Sequence, residues 1–192
     1  MNSIFWRGEE ISQLVLGTAQ LGMDYGIANK CGKPNLEQAK QIIYTAIESG
    51  VTLIDTAQAY GDSESVIGQC LSEPPQKQSV KCITKWAPSI NPKDTAALEA
   101  GIQQSKQRLG LPLWGIMAHS EEWLDAWATI QPVINVAKNN KDIKYCGVSV
   151  YSVERAKQAI YNPEIDFIQV PCNVWDQRMI TENVFELAKE EG

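Results

Sequence analysis

The chain has 192 residues and a formal net charge of −6, from 17 Lys and Arg against 23 Asp and Glu. Apolar residues make up 44% and charged residues 21%, the balance of a folded globular chain, which excludes wholesale disorder. No basic stripe stands out and no apolar run approaches the roughly 20 residues that span a bilayer, so neither duplex nucleic acid nor a membrane is an expected partner.

The first segment, Met1-Asn2-Ser3-Ile4-Phe5-Trp6-Arg7-Gly8, lacks the basic and apolar regions of a secretory signal, and a cytoplasmic location is expected. A first strand is predicted over Leu14–Ala19. Asn35 then caps a helix, with Gln38 three residues on. Its Leu36, Ala39, Ile42, Ile43, Ala46 and Ile47 fall on one stripe, and Gly50 follows its end. Strand Val51–Thr56 leads through the Gly61-Asp62 turn to helix Ser63–Leu71. The Glu73-Pro74-Pro75-Gln76-Lys77 tract reads as a connection to strand Val80–Trp86. Helix Asp94–Leu109 stops at Gly110. Strand Trp114–His119 precedes helix Glu121–Lys138, which Pro132 is expected to break or kink. Strand Lys144–Val150, helix Val153–Ile160, strand Ile165–Pro171 and helix Thr181–Glu191 complete the series.

Each strand is short and nearly all apolar, the pattern of a parallel strand buried on both faces. Asp55, Lys85, His119 and Ser149, near successive strand ends, follow one another at intervals of 30, 34 and 30 residues, about one βα unit each. The glycines of Gly17–Gly26 have the wrong spacing for a dinucleotide-binding loop. Gly32-Lys33 is followed by Pro34 instead of the hydroxyl of a phosphate-binding loop. The expected fold is therefore α/β of the (β/α)₈ barrel type. It is incomplete, with about six βα units and open first and sixth strands, and residues 1–192 form one truncated domain.

Five cysteines (Cys31, Cys70, Cys82, Cys146, Cys172) lack close spacing and read as reduced thiols, three of them (Cys82, Cys146, Cys172) inside apolar strand-like runs. His119 is the one histidine, which excludes multi-histidine zinc sites, and no metal is expected.

Barrel enzymes gather their chemistry at the C-terminal ends of the strands. Here an acid (Asp55), a lysine (Lys85), a histidine (His119), a hydroxyl (Ser149) and an amide (Gln169) end separate apolar runs. Asp55 and Lys85 brought together would pair, and a phenol beside that ammonium would ionise more easily than its ordinary value near about 10. Tyr60 is the phenol in reach. The product is a general acid for a developing alkoxide, with His119 holding the reacting oxygen or relaying the proton. No side chain supplies a hydride, so a nicotinamide cofactor is implied.

Asp55-Thr56-Ala57-Gln58-Ala59-Tyr60-Gly61-Asp62-Ser63-Glu64 resembles the D-T-A-x-x-Y-G-x-S-E signature of the aldo-keto reductases. Thr84-Lys85, His119 and Gly147-Val148-Ser149 follow in the family's order. Leu16–Asn29, Gln169-Val170-Pro171-Cys172-Asn173 and Asp176-Gln177-Arg178 are similar to a bacterial branch often associated with sugar modification.

The resemblance implies a (β/α)₈ barrel that reduces an aldehyde or ketone with NADPH, acting on a small, sugar-like carbonyl substrate. It places a catalytic tetrad on Asp55, Tyr60, Lys85 and His119, and the nicotinamide end of the cofactor on Gly17, Thr18, Asp55, Ser149 and Gln169. Val150 stands where many members carry Asn, so one carboxamide contact is missing. Tyr25, Trp86 and Trp123 follow strand ends, as substrate-pocket or packing aromatics. A complete barrel takes about 250 residues. By the same resemblance, two further βα units would bring the surface on which nicotinamide stacks and the groups that clamp the adenosine phosphates. Open edges would be met by a longer chain, by self-association or by a second polypeptide. Two other functions fit the same residues: a non-catalytic binding subunit or pseudoenzyme, and a Schiff-base lyase or isomerase using Lys85.

Overall fold

A computed structural model describes residues 2–72 and 80–192. The chain opens with an antiparallel hairpin, β1 (Ser3–Trp6) and β2 (Glu9–Ser12). Its two-residue turn puts Arg7 and Gly8 at φ 47° and 80°, the left-handed geometry that matches strand twist in tight hairpins. The sequence reading assigned no element here.

Six parallel strands follow in the order in which they occur: β3 (Val15–Gly17), β4 (Leu53–Asp55), β5 (Lys81–Lys85), β6 (Leu113–Ala118), β7 (Ile143–Ser149) and β8 (Phe167–Gln169). All six predicted strands are present, shorter than expected at most ends. Sequential order with every pair parallel is a curled half-barrel, with β3 and β8 as its two edges.

Alternation along the strands sorts their side chains between two faces. Ile54, Cys82, Ile116, Cys146 and Val148 pack toward the helices, and Leu53, Ile83, Met117 and Tyr145 form the interior cluster with Ile11 of the hairpin. Phe167 lies across Gly147, where a Cβ would come within 2.6 Å of the ring. The hairpin seals the N-terminal end of the barrel. Trp6 packs 4.7 Å from Tyr145 and 5.5 Å from Trp114, and Glu9 accepts hydrogen bonds from Lys144, Tyr145 and Trp114. The opposite end, where the polar residues collect, stays open.

The helices are α1 (Ala19–Gly22), α2 (Leu36–Glu48), α3 (Ser63–Cys70), α4 (Thr95–Leu109), α5 (Trp127–Asn139), α6 (Val153–Ile160), α7 (Arg178–Thr181) and α8 (Val184–Glu191). The Asn35–Gln38 capping box and the left-handed Gly110 end are as predicted. The predicted connection at Glu73–Lys77 lies outside the described residues.

Three expectations are corrected. Helix Glu121–Lys138 is divided at Ala126, where a 3₁₀ segment (Glu121–Ala126) hands over to α5. Pro132 sits inside α5 without ending it, at the cost of one backbone donor. The predicted Thr181–Glu191 helix is two pieces, parted at Asn183 with φ 55°. Cys172 is exposed because β8 stops at Gln169, whereas Cys70, Cys82 and Cys146 are buried; all five are free thiols. Among the described residues no helix is long and apolar enough to cross a membrane.

Candidate active site

Parallel register brings the strand-end residues to one rim. Gly17 pairs with Asp55, Lys85 with Met117, and Ser149 with Gln169. Asp55 ends β4 and Lys85 ends β5. Lys85 is only 1% exposed, and its Nζ donates to both Asp55 oxygens at 2.6 and 2.7 Å and to the Thr56 carbonyl at 3.1 Å. The same Nζ lies 5.2 Å from the centre of the Tyr60 ring. His119, just past β6, meets Tyr60 edge to face with ring centres 5.8 Å apart. All four expected tetrad residues are thus in one group.

Tyr60 owes its place to the loop after β4. Its amide donates to the Ala57 carbonyl, and Gly61 turns the chain at φ 59°. Gly22, at the end of α1, backs directly onto this turn, and a Cβ there would overlap the Tyr60 carbonyl oxygen. Three buried hydroxyls fasten the loop from beneath. Ser63 Oγ donates to the Thr18 carbonyl at 2.9 Å, Thr56 Oγ1 donates to Ser63 Oγ at 3.1 Å, and Thr18 Oγ1 donates to the Asp55 carbonyl at 2.8 Å. Glu64, 2% exposed, accepts from Thr84 Oγ1 at 2.6 Å and from Arg108 at 3.2 Å. Sequence reasoning quoted Thr56, Ser63 and Glu64 without giving them a role. The available signal was the polar Ser63-Glu64 pair opening a helix whose Val66, Ile67 and Cys70 are apolar.

The electrostatics correct one expectation. Tyr60 is pushed up to about 12, first by burial and then by the Asp55 carboxylate, with Tyr25 and Tyr151 adding to it. The Lys85 ammonium, paired with Asp55, does not offset these effects in the resting site. Burial lowers the Lys85 ammonium, against the opposing pull of Asp55. Burial, then the Lys85 charge, lowers the His119 imidazolium. At neutral pH the site therefore holds a protonated phenol and a neutral imidazole beside a closed ion pair. His119 Nδ1 is buried and has no hydrogen-bond partner among the described residues.

A cavity of about 320 Å³ opens beside this group, lined by Gly17, Thr18, Gln20, Tyr25, Asp55 and Tyr60 among others. Larger hollows along α2 and beneath β5–β7 touch none of the tetrad. Tyr25 is exposed at the mouth. Thr18 lines the cavity but is fully buried, and its hydroxyl is committed to the loop anchor, so it does not offer a free side-chain donor to a ligand. Ser149 is buried at the end of β7, and Gln169 is exposed at the end of edge strand β8. Trp86 and Trp123 are packing residues, not pocket walls: they stack 5.8 Å apart in the core, and Trp86 Nε1 donates to the Leu98 carbonyl. Tyr151, two residues past Ser149 and 55% exposed, was not singled out from the sequence.

Residues 13–192 match the family model of the Aldo/keto reductase family. Aldo-keto reductase YhdN of Bacillus subtilis is 28% identical over 199 residues, covering 98% of this chain and 58% of that protein. The NADH-specific methylglyoxal reductase of Escherichia coli is 24% identical, covering 78% of this chain and 52% of its own length. The chain thus spans about half the length of the curated relatives it matches. In fold it is similar to an aldo-keto reductase of Bombyx mori solved with NADP, with a TM-score of 0.75, 21% identity, and coverage of 100% of this chain and 64% of that one. With the rim tetrad and the parallel half-barrel, this match places the chain in the aldo/keto reductase family.

Proposed function

We propose that this chain carries the proton-donating half of a nicotinamide-dependent carbonyl reductase, within a single incomplete barrel domain over residues 1–192. The observation that carries the reading is the buried Lys85–Asp55 pair beneath the Tyr60 ring, with His119 edge-on to the same ring.

The residues present fit the nicotinamide end of such a cofactor. Gly17 faces open space where a Cβ would meet nothing, at the lip of the cavity that Asp55 and Tyr60 line. Ser149, buried, and Gln169, exposed, end the neighbouring strand pair and would be the groups to meet a carboxamide. When bound, a reduced nicotinamide supplies the hydride that no side chain can. The reading takes NADPH as that cofactor. The Bombyx mori enzyme was solved with NADP, while the Escherichia coli relative is named for NADH.

Tyr60 keeps its proton at neutral pH and hands it to the substrate oxygen as charge develops there. Lys85, 5.2 Å from the ring, then steadies the phenolate, and Asp55 holds Lys85 in place. His119, neutral, presents a ring nitrogen to the same oxygen and orients the carbonyl. The substrate class is a small polar carbonyl compound, sugar-like in the branch that the opening segment resembles. The open β3 and β8 edges favour self-association, and the location is the cytoplasm.

A Schiff base at Lys85 finds no support. All three of its ammonium protons are engaged, and the side chain is out of solvent. The test is Tyr60→Phe. It should bind NADPH like the parent chain yet lose carbonyl reduction by about 10²-fold or more. Undiminished reduction by the variant would overturn the assignment.

A further inference from the structure

Glu121 stands two residues past His119, at the head of the 3₁₀ segment, and its carboxylate reaches across to the loop after β7. Oε2 accepts from the Tyr151 amide at 2.6 Å and from the Ser152 amide at 2.9 Å, and Ser152 Oγ donates to Oε1 at 3.2 Å. The loop that carries His119 is thereby fastened to the one that follows Ser149 and opens α6. Burial would raise the Glu121 acid, but the hydrogen bonds from Tyr151 and Ser152 outweigh it and hold it below its usual 4.5. A few residues on, Asp125 and Arg155 span the same gap at the surface in a two-pronged pair at 2.7 and 3.0 Å.

We propose that Glu121 is a positioning residue of the rim: by joining the backbone after His119 to the backbone after Ser149, it fixes the surroundings of the imidazole. A carboxylate suits this task because one oxygen accepts from both converging amides while the other accepts from the Ser152 hydroxyl, and its charge strengthens all three bonds. The neighbouring Asp125–Arg155 pair is solvated and contributes little by comparison. The consequence for carbonyl chemistry rests on the reductase reading; the clamp itself does not.

His119 is the one histidine in the chain, so a single imidazole NMR signal reports its titration without any turnover. The groups that act on it are Lys85 and Asp55, with the Tyr60 ring against it. In the parent chain it titrates below 6.5. In Glu121→Ala the loop loosens, the ring gains solvent, and its titration should rise by about half a unit toward the ordinary value. Arg155→Ala, which removes the bonds to Asp125 and Gln158 but leaves the Glu121 contacts to the Tyr151 and Ser152 amides, should leave it in place. Glu121→Gln can still accept from both amides through its carbonyl oxygen and should keep most of the parent's titration; Glu121→Ser, too short to reach them, decides the matter if the alanine variant does not fold. A folded Glu121→Ala or Glu121→Ser chain whose His119 titration stays within about 0.1 unit of the parent would overturn the proposal. Failure of the parent chain to bind NADPH would count against the reductase reading alone and leave the histidine result intact.

Discussion

Lys85 Nζ reaches both oxygens of Asp55, at 2.6 and 2.7 Å, although the lysine is 1% exposed and the aspartate side chain keeps 14% of its surface. The two partners of this pair are thus unequally dependent on each other. Asp55 keeps contact with solvent, whereas among the described residues Lys85 is balanced by Asp55, the Thr56 carbonyl and the face of the Tyr60 ring.

Asp55→Asn should therefore be the more damaging of the two changes that break the pair. It strands a buried ammonium, at a cost of about 3–5 kcal/mol. Lys85→Met leaves a carboxylate that water still reaches, and should cost less. Urea denaturation of the two variants and the parent chain checks the order; equal losses, or a larger loss for Lys85→Met, would contradict it.

Acid should weaken the chain before its carboxylates titrate. The folded state holds the His119 imidazolium below 6.5, so the unfolded chain binds a proton first as pH falls. The stability tied to His119 is complete above the unfolded value and is lost as pH falls through the folded one. The lowered carboxylates Glu9 and Glu121 start from 4.5 and contribute further down. Melting temperatures between about pH 7 and pH 5 should therefore fall for the parent chain and fall less for His119→Gln. Parallel curves would show that the imidazole is not the group concerned.

Ser63→Ala should cost about 2 kcal/mol, more than an exposed serine would, because it leaves the Thr18 carbonyl and the Thr56 hydroxyl short of a partner in a dry setting. Its effect should extend to Tyr60, whose loop the hydroxyls anchor. Chemical denaturation gives the first number, and the alkaline absorbance titration of the tyrosines gives the second. There the highest-titrating phenol should move down from about 12.

Most of the fold was legible because parallel strands buried on both faces write themselves as short apolar runs, and strict βα alternation leaves few topologies. The rim was legible for a related reason: Asp55, Lys85 and His119 interrupt or end apolar runs where packing alone would not require them. The N-terminal hairpin was not. Its strands have four residues each, and Arg7 takes a left-handed conformation that glycine usually marks. The sign of the Tyr60 shift was also out of reach. It depends on how deeply the ring is buried and on Asp55 consuming the lysine charge, both set by contacts between separate strands. Trp86 and Trp123 follow strand ends as pocket residues would, yet they turn into the core, a choice made by the helices packed over them.

The central claim is that the rim around Tyr60 receives a nicotinamide cofactor. The most direct measurement is a titration of the folded chain with NADPH, followed by quenching of its six tryptophans. A saturable change with a Kd in the micromolar range, about −8 kcal/mol, is the expected result. No change up to about millimolar NADPH, about −4 kcal/mol, in a chain shown to be folded, would contradict it.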